Sequence, residues 1–144
     1  MKPRLWQVED TEILWEWIQK DDDVWTKFLG LSLPIDRDVY TNTIFKLVML
    51  IMRDEAALIM VEDDDGLVGI IAANPLNKEV CGAHLAKNPD RKHVGMDLIK
   101  VGEQVARRQG VKMLIVPLAN PSLRKLLKRA GYSPPVTEAW SKEL

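Results

Sequence analysis

The residues best suited to chemistry fall in two cationic groups, each where a loop runs into a helix. Lys87, Arg91, Lys92 and His93 form the first; Arg124, Lys125 and Lys128 form the second. Guanidinium and ammonium groups beside a helix N-terminus suit a phosphate-bearing ligand, because backbone N–H groups without helical partners point outward there and draw anions. Lys128 and Arg129 read better as a solvated helix face. The His93 ring can donate to a phosphate, yet its bulk also narrows the approach that a glycine would leave open. His84 is the other histidine and Cys81 the single cysteine. HExxH and CxxC spacings are absent, so no metal site is expected. His84 reads as structural, since a lone histidine needs an orienting partner to do chemistry. Nothing beside Cys81 in sequence lowers a thiol pKa, so it reads as a small core residue. No GxSxG, Walker-type loop or pair of catalytic carboxylates stands out. The tryptophans Trp6, Trp15, Trp17, Trp25 and Trp140 read mostly as core, with Trp25 the best placed to line a groove.

The elements that must position these groups follow from apolar periodicity. Val80, Ala83 and Leu85 suit a buried strand, and Lys87 to Lys92 break it with charge, Asn and Pro. Val94, Leu98, Val101 and Val105 then make one apolar stripe of a helix that closes at Gly110. Upstream, Pro3–Val8 reads as a strand. Asp10 or Thr11 caps a helix with Leu14, Trp17 and Ile18 on one face. The irregular run Val24–Ile35 carries Trp25, Phe28, Leu29, Leu31 and Leu33, and a loop this apolar must pack on the core or line a groove. Asp36 caps a second helix with Ile44, Val48, Ile51 and Met52 as its inner stripe. Ala56–Glu62 and Leu67–Ala73 form a hairpin about the Asp63–Gly66 turn. Met113–Leu118 is apolar enough for a parallel central strand. Asn120 caps a last helix, Pro121 opens it, and Leu123, Leu126, Leu127 and Ala130 face inward. Tyr132–Pro135 and Val136–Leu144 read as a closing hairpin-like pair. This order predicts an α+β, or mixed α/β, domain with helices on both faces of one mixed sheet.

Two stretches carry a resemblance. Asp90-Arg91-Lys92-His93-Val94-Gly95-Met96-Asp97-Leu98-Ile99 resembles the pyrophosphate loop of the GNAT-type N-acetyltransferases, with Gly95 and Leu98-Ile99 matching and Asp90 and His93 departing from the usual Arg/Gln and Gly. Asn120 to Tyr132 resembles the family's later helix motif, with Leu127 where tyrosine is usual. The resemblance implies a GNAT-like fold: a mixed, mostly antiparallel sheet of about seven strands, about four flanking helices, and a splay between the fourth and fifth strands. It implies acetyl-CoA as co-substrate, bound through Ala83, Leu85, Arg91, Lys92, His93, Val94, Gly95, Met96, Asn120 and Arg124. It implies an amine acceptor, small molecule or peptide, in a groove with Trp25 and Phe28. Glu79, sixteen residues before Gly95, stands where histone-type members carry a glutamate general base. The family tyrosine that protonates the leaving thiolate is replaced by Leu127, which has no proton to give.

Length and composition bound the rest. The 144 residues suit one domain, residues 1–144, and the apolar share of 47 % is ordinary for a soluble protein. One cysteine fits a reducing, cytoplasmic setting. No apolar run is long enough for a bilayer, and the N-terminus lacks an apolar signal core. A net charge of −1 gives no general reason to bind nucleic acid. The expected protein is a monomer or homodimer that transfers an acetyl or other acyl group from acetyl-CoA to a primary amine, without metal. The alternatives are a GNAT-fold protein that has lost catalysis and serves in binding or structure, for which the resemblance leaves a phage origin open since phages encode small GNAT-like proteins, and an acyl-CoA sensor.

Overall fold

A computed structural model describes residues 1–21, 36–117, 121–134 and 139–144. The helices are α1 (Asp10–Lys20), α2 (Arg37–Met52), α3 (Gly95–Arg108) and α4 (Pro121–Arg129); the strands are β1 (Lys2–Leu5), β2 (Ala57–Asp63), β3 (Gly66–Pro75), β4 (Val80–Lys87), β5 (Met113–Pro117) and β6 (Ala139–Glu143). Among the described residues these strands make one sheet in chain order, β1 to β6. Every neighbouring pair is antiparallel except β4–β5, which is parallel. Parallel neighbours need a long crossover, and α3 supplies it.

Side-chain alternation divides the core. Leu58, Met60, Ile70 and Ala86 on the strands pack with Leu14, Trp17 and Ile18 of α1 and Tyr40 and Ile44 of α2. Val61 and Ile71 turn the other way, toward Leu98 and Val101 of α3. Beyond them Cys81, Ala83, Leu114, Val116 and Trp140 meet Ile99 and Ala106 of α3 and Leu127 of α4. The sheet is therefore sandwiched between two helical layers, as the element order predicts.

Several boundaries differ from expectation. β1 ends at Leu5 rather than Val8: after one further bond, Trp6 N–H to the Leu58 carbonyl (3.1 Å), Gln7 donates instead to the Asp10 carboxylate (2.7 Å). Asp10 does not cap α1. It is the first helical residue, 2 % exposed, and takes two hydrogen bonds from Arg4 (2.8 and 2.9 Å). Asp36 does cap α2, accepting from the N–H groups of Asp38 and Val39. Met52 falls outside the inner stripe of α2 and is 75 % exposed, while Ile44 is buried and Val48 and Ile51 partly so. The hairpin turns at Gly66 with φ of +115°, a conformation that favours glycine. The expected strand at Tyr132–Pro135 reduces, in its described part, to one bridge between Ser133 and Ser141. Pro134 has no N–H with which to extend it.

Candidate functional site: an interrupted ladder and a cationic loop

The β4–β5 ladder is short. Val80, Cys81 and Gly82 pair with Met113, Leu114 and Ile115, and there the pairing ends, although β4 continues to Lys87 and β5 to Pro117. The Glu79 carbonyl accepts from the N–H groups of Lys112 (2.8 Å) and Met113 (3.0 Å). By strand alternation the odd-numbered residues of β4 turn their peptide groups toward β5. Ala83 and Leu85 therefore present backbone N–H and C=O to a gap in which they have no ladder partner among the described residues, while β4 remains paired to β3 on its other edge. This is the splay between the fourth and fifth strands.

At the open end of the gap lies the loop that feeds α3. Asn88 organises it, donating to the Leu67 carbonyl (2.9 Å) and accepting from the Asp90 N–H (3.0 Å). The Lys87 ammonium donates to the carbonyls of Asn88 and Arg91. Asp90 pairs with Lys20 at the end of α1 (2.7 Å). Arg91 makes a two-pronged contact with Asp63 at the β2–β3 turn (3.0 and 2.6 Å), which holds the Asp63 carboxyl below its usual range. Lys92 and His93 are exposed. His93 has φ of +61°, the left-handed conformation that favours glycine.

The N-terminus of α3 carries no side-chain cap, so its first amides are free of the usual intramolecular acceptor. Val94 is buried, and Gly95 and Met96 are half-buried. A Cβ on Gly95 would stand 2.5 Å from Cδ1 of Leu126, so this glycine lets α4 close onto α3. Arg124 is exposed on α4. Leu127 is fully buried in the cluster that holds Ala83 and Ile99, which explains an apolar residue there. Asn120, Trp25 and Phe28 lie outside the described residues.

Glu79 stands at the other, closed end of the gap. It precedes the paired segment, about 13 Å along the strand from Ala83. Its carboxylate is 61 % exposed and 3.2 Å from the Lys112 ammonium. His84 was read as structural, yet it sits within the splayed stretch. It shares the α1–α2 face with Ala86 and lies opposite Ala72. It is half-buried, and burial lowers its pKa, so the ring is neutral near pH 7. Its place between two gap-facing residues was visible in the sequence; what was missing was the point at which the ladder stops. Burial pushes the Cys81 thiol up, away from nucleophile chemistry.

No sequence-family model matches the chain. No curated protein matches it by sequence. Solved structures do match. A spermidine N-acetyltransferase from Vibrio cholerae, in complex with CoA and spermine, superposes with a TM-score of 0.77 at 12 % identity over 99 % of this chain and 94 % of its own. A Campylobacter jejuni N-acetyltransferase in complex with acetyl coenzyme A gives 0.70 at 14 % identity, covering 99 % and 98 %. An N-acetyltransferase from Thermoplasma acidophilum in complex with coenzyme A gives 0.71 at 14 %, covering 99 % and 98 %. The chain has the fold of the GNAT-type N-acetyltransferases.

Proposed function

We propose that this protein transfers an acyl group from acyl-CoA to a primary amine by direct attack in a ternary complex. The observation that carries the reading is the ladder that stops at Gly82 and Ile115. Among the described residues it leaves the peptide groups of Ala83 and Leu85 without a β5 partner, so that they can pair with the amide-bearing pantetheine arm as a strand would. The uncapped start of α3, with Lys92, His93 and Arg124 exposed nearby, suits the phosphates. That similar folds have been solved with acetyl-CoA or with CoA and a polyamine supports the same pairing of donor and amine here.

In the reaction, the acceptor ammonium first loses a proton, because only the free amine has a lone pair. Its nitrogen attacks the thioester carbonyl carbon, and a β4 backbone N–H steadies the oxyanion. The nitrogen gives up its second proton to solvent, the carbon–sulfur bond breaks, and the thiolate leaves as the neutral amide forms. Leu127 has no proton to donate, so the thiolate is protonated by water or leaves as the anion. The resemblance gives the base role to Glu79; position and neutrality favour His84.

A second reading, donor binding without transfer, draws on the engagement of Arg91 by Asp63 and the burial of Leu127. Calorimetry with acetyl-CoA, together with thiol release over polyamines and peptide amines, separates the readings. Saturable binding with amine-dependent thiol release is expected. Binding without release identifies a sensor, and no heat at millimolar concentration with acetyl-CoA or any longer acyl-CoA leaves only a structural role.

A further inference from the structure

Beneath α3, on the face of the sheet opposite α1 and α2, lies a cavity of about 860 Å³. Its volume falls in the upper range of small-molecule sites. It exists because small residues face one another across the layer: Ala57, Ala73 and Ala83 on the strands and Gly102 on the helix. Leu85 and Ala83 of β4 and Leu114 and Val116 of β5 line it as well, and these residues flank the gap between the two strands. The cavity therefore borders the splay directly. Its interior walls are alkyl. The Cys81 thiol donates to its neighbour's carbonyl (3.4 Å), and the Tyr132 phenol lies against Glu103. Of the charged and amide residues of the lining, Asp54, Asn77, Lys78, Arg108 and Gln109 are exposed to solvent, whereas Ala83, Ile99, Leu114 and Val116 are buried.

The geometry points to an acyl-donor pocket: the preferred donor carries a linear saturated chain of medium length, which passes from the thioester in the splay into the cavity under α3. This rests on the acyl-transfer reading and goes beyond it by assigning the donor class. An acetyl group would leave most of such a space unfilled, whereas an alkyl chain needs no polar partner and gains from each methylene removed from water. No new chemistry is required. The amine still displaces the thiolate at the carbonyl carbon, and the chain leaves as part of the amide.

The test is a chain-length series read by calorimetry on the whole protein, with acetyl-, butanoyl-, hexanoyl- and octanoyl-CoA. Octanoyl-CoA is expected to bind at least about 30-fold more tightly than acetyl-CoA, since each buried methylene can add up to about fourfold. Gly102 tolerates a Cβ, whose nearest neighbours would be Ile71 Cδ1 at 3.5 Å and Leu85 Cδ2 at 3.8 Å, so a longer side chain must project into the cavity. Gly102→Leu should reduce the octanoyl advantage to about threefold or less while acetyl-CoA affinity is retained; Ala73→Leu serves the same purpose if that variant misfolds. Equal affinities across the series in the wild type, with acetyl-CoA bound, overturn the pocket and leave the acyl-transfer reading standing. A long-chain advantage untouched by a folded filling variant overturns it too, as adhesion elsewhere. Failure of every acyl-CoA to bind overturns both.

Discussion

At the scale of single residues, the two proton acceptors make opposite predictions. His84→Asn should lower the amine acylation rate by about 10²–10⁴ with donor affinity nearly unchanged, and the deficit should shrink at high pH where free amine is already present. Glu79→Gln should leave the rate within about twofold, because its carboxylate faces Lys112 outside the gap. Steady-state rates of both variants against pH decide between them, and the reverse pattern returns the role to Glu79. His84 also has a stability signature. Its folded pKa lies below a histidine's ordinary value of about 6.5, so the unfolded chain binds the proton more readily. The sign follows: the His84 contribution is whole above pH 6.5 and is lost as pH falls from there through the folded value. Urea midpoints should decline over that window in the wild type and less in His84→Asn. His93 raises a different point. A left-handed, non-glycine residue costs roughly 1–2 kcal/mol, and a glycine relieves this while losing more backbone entropy on folding. His93→Gly should therefore change stability by no more than about 1 kcal/mol, whereas His93→Val should be destabilised by at least that much.

At the scale of elements, α3 and α4 are read by their inward faces. Gly102→Ala should raise stability by up to about 1 kcal/mol, because a helix-interior glycine is replaced where the added methyl meets only ordinary contacts. Denaturant titration should show a higher midpoint at unchanged slope. Leu127→Tyr should cost about 1–3 kcal/mol, since the leucine is wholly enclosed. If a missing acid limits turnover, the same variant should raise kcat with little change in KM; a slower folded variant would place the acid elsewhere. Why the helices and most strands were legible is visible here. Val94, Leu98 and Val101 form a stripe that needs no partner to be recognised, and Asp36 announces a cap by accepting from N–H groups two and three residues ahead of it. Asp10 was misread because its ligand, Arg4, belongs to another element. Arg91 with Asp63, Lys20 with Asp90, and Leu126 over Gly95 are likewise long-range pairings, and no local spacing encodes them. Met52 lies on the right period, four residues after Val48, but is the last residue of α2 and is exposed.

At the scale of the molecule, ligand binding and acid should act in opposite directions. A donor present at 100 times its Kd adds about 2.7 kcal/mol, which for a chain of this size moves Tm by roughly 5–11 °C. Differential scanning fluorimetry with and without acetyl-CoA checks this, and no shift would count against a specific site. Acid should unfold the chain partly through Asp10. Its bonds from Arg4 hold the carboxyl below the ordinary range, so its contribution is present above about pH 3.9 and disappears as pH falls through the lowered value. Arg4→Ala should cost about 2–3 kcal/mol at neutral pH and less in acid. The cavity under α3 was the least legible feature of all. Ala57, Ala73, Ala83 and Gly102 are far apart in sequence, and their shared smallness has meaning only once β2, β3, β4 and α3 are stacked.

The ladder that stops after three pairs has a mechanical side. β2, β3 and β4 are joined by tight turns, and β5 is fully paired to β6, but among the described residues the ladder between the two groups runs only from Val80–Gly82 to Met113–Ile115, with the Glu79 carbonyl and carboxylate joining Lys112 and Met113 at its closed end. The sheet thus has a seam. Amide hydrogens along it should exchange sooner than those of the β2–β3 hairpin, and a ligand laid into the gap would work as a stitch, slowing exchange on both sides at once.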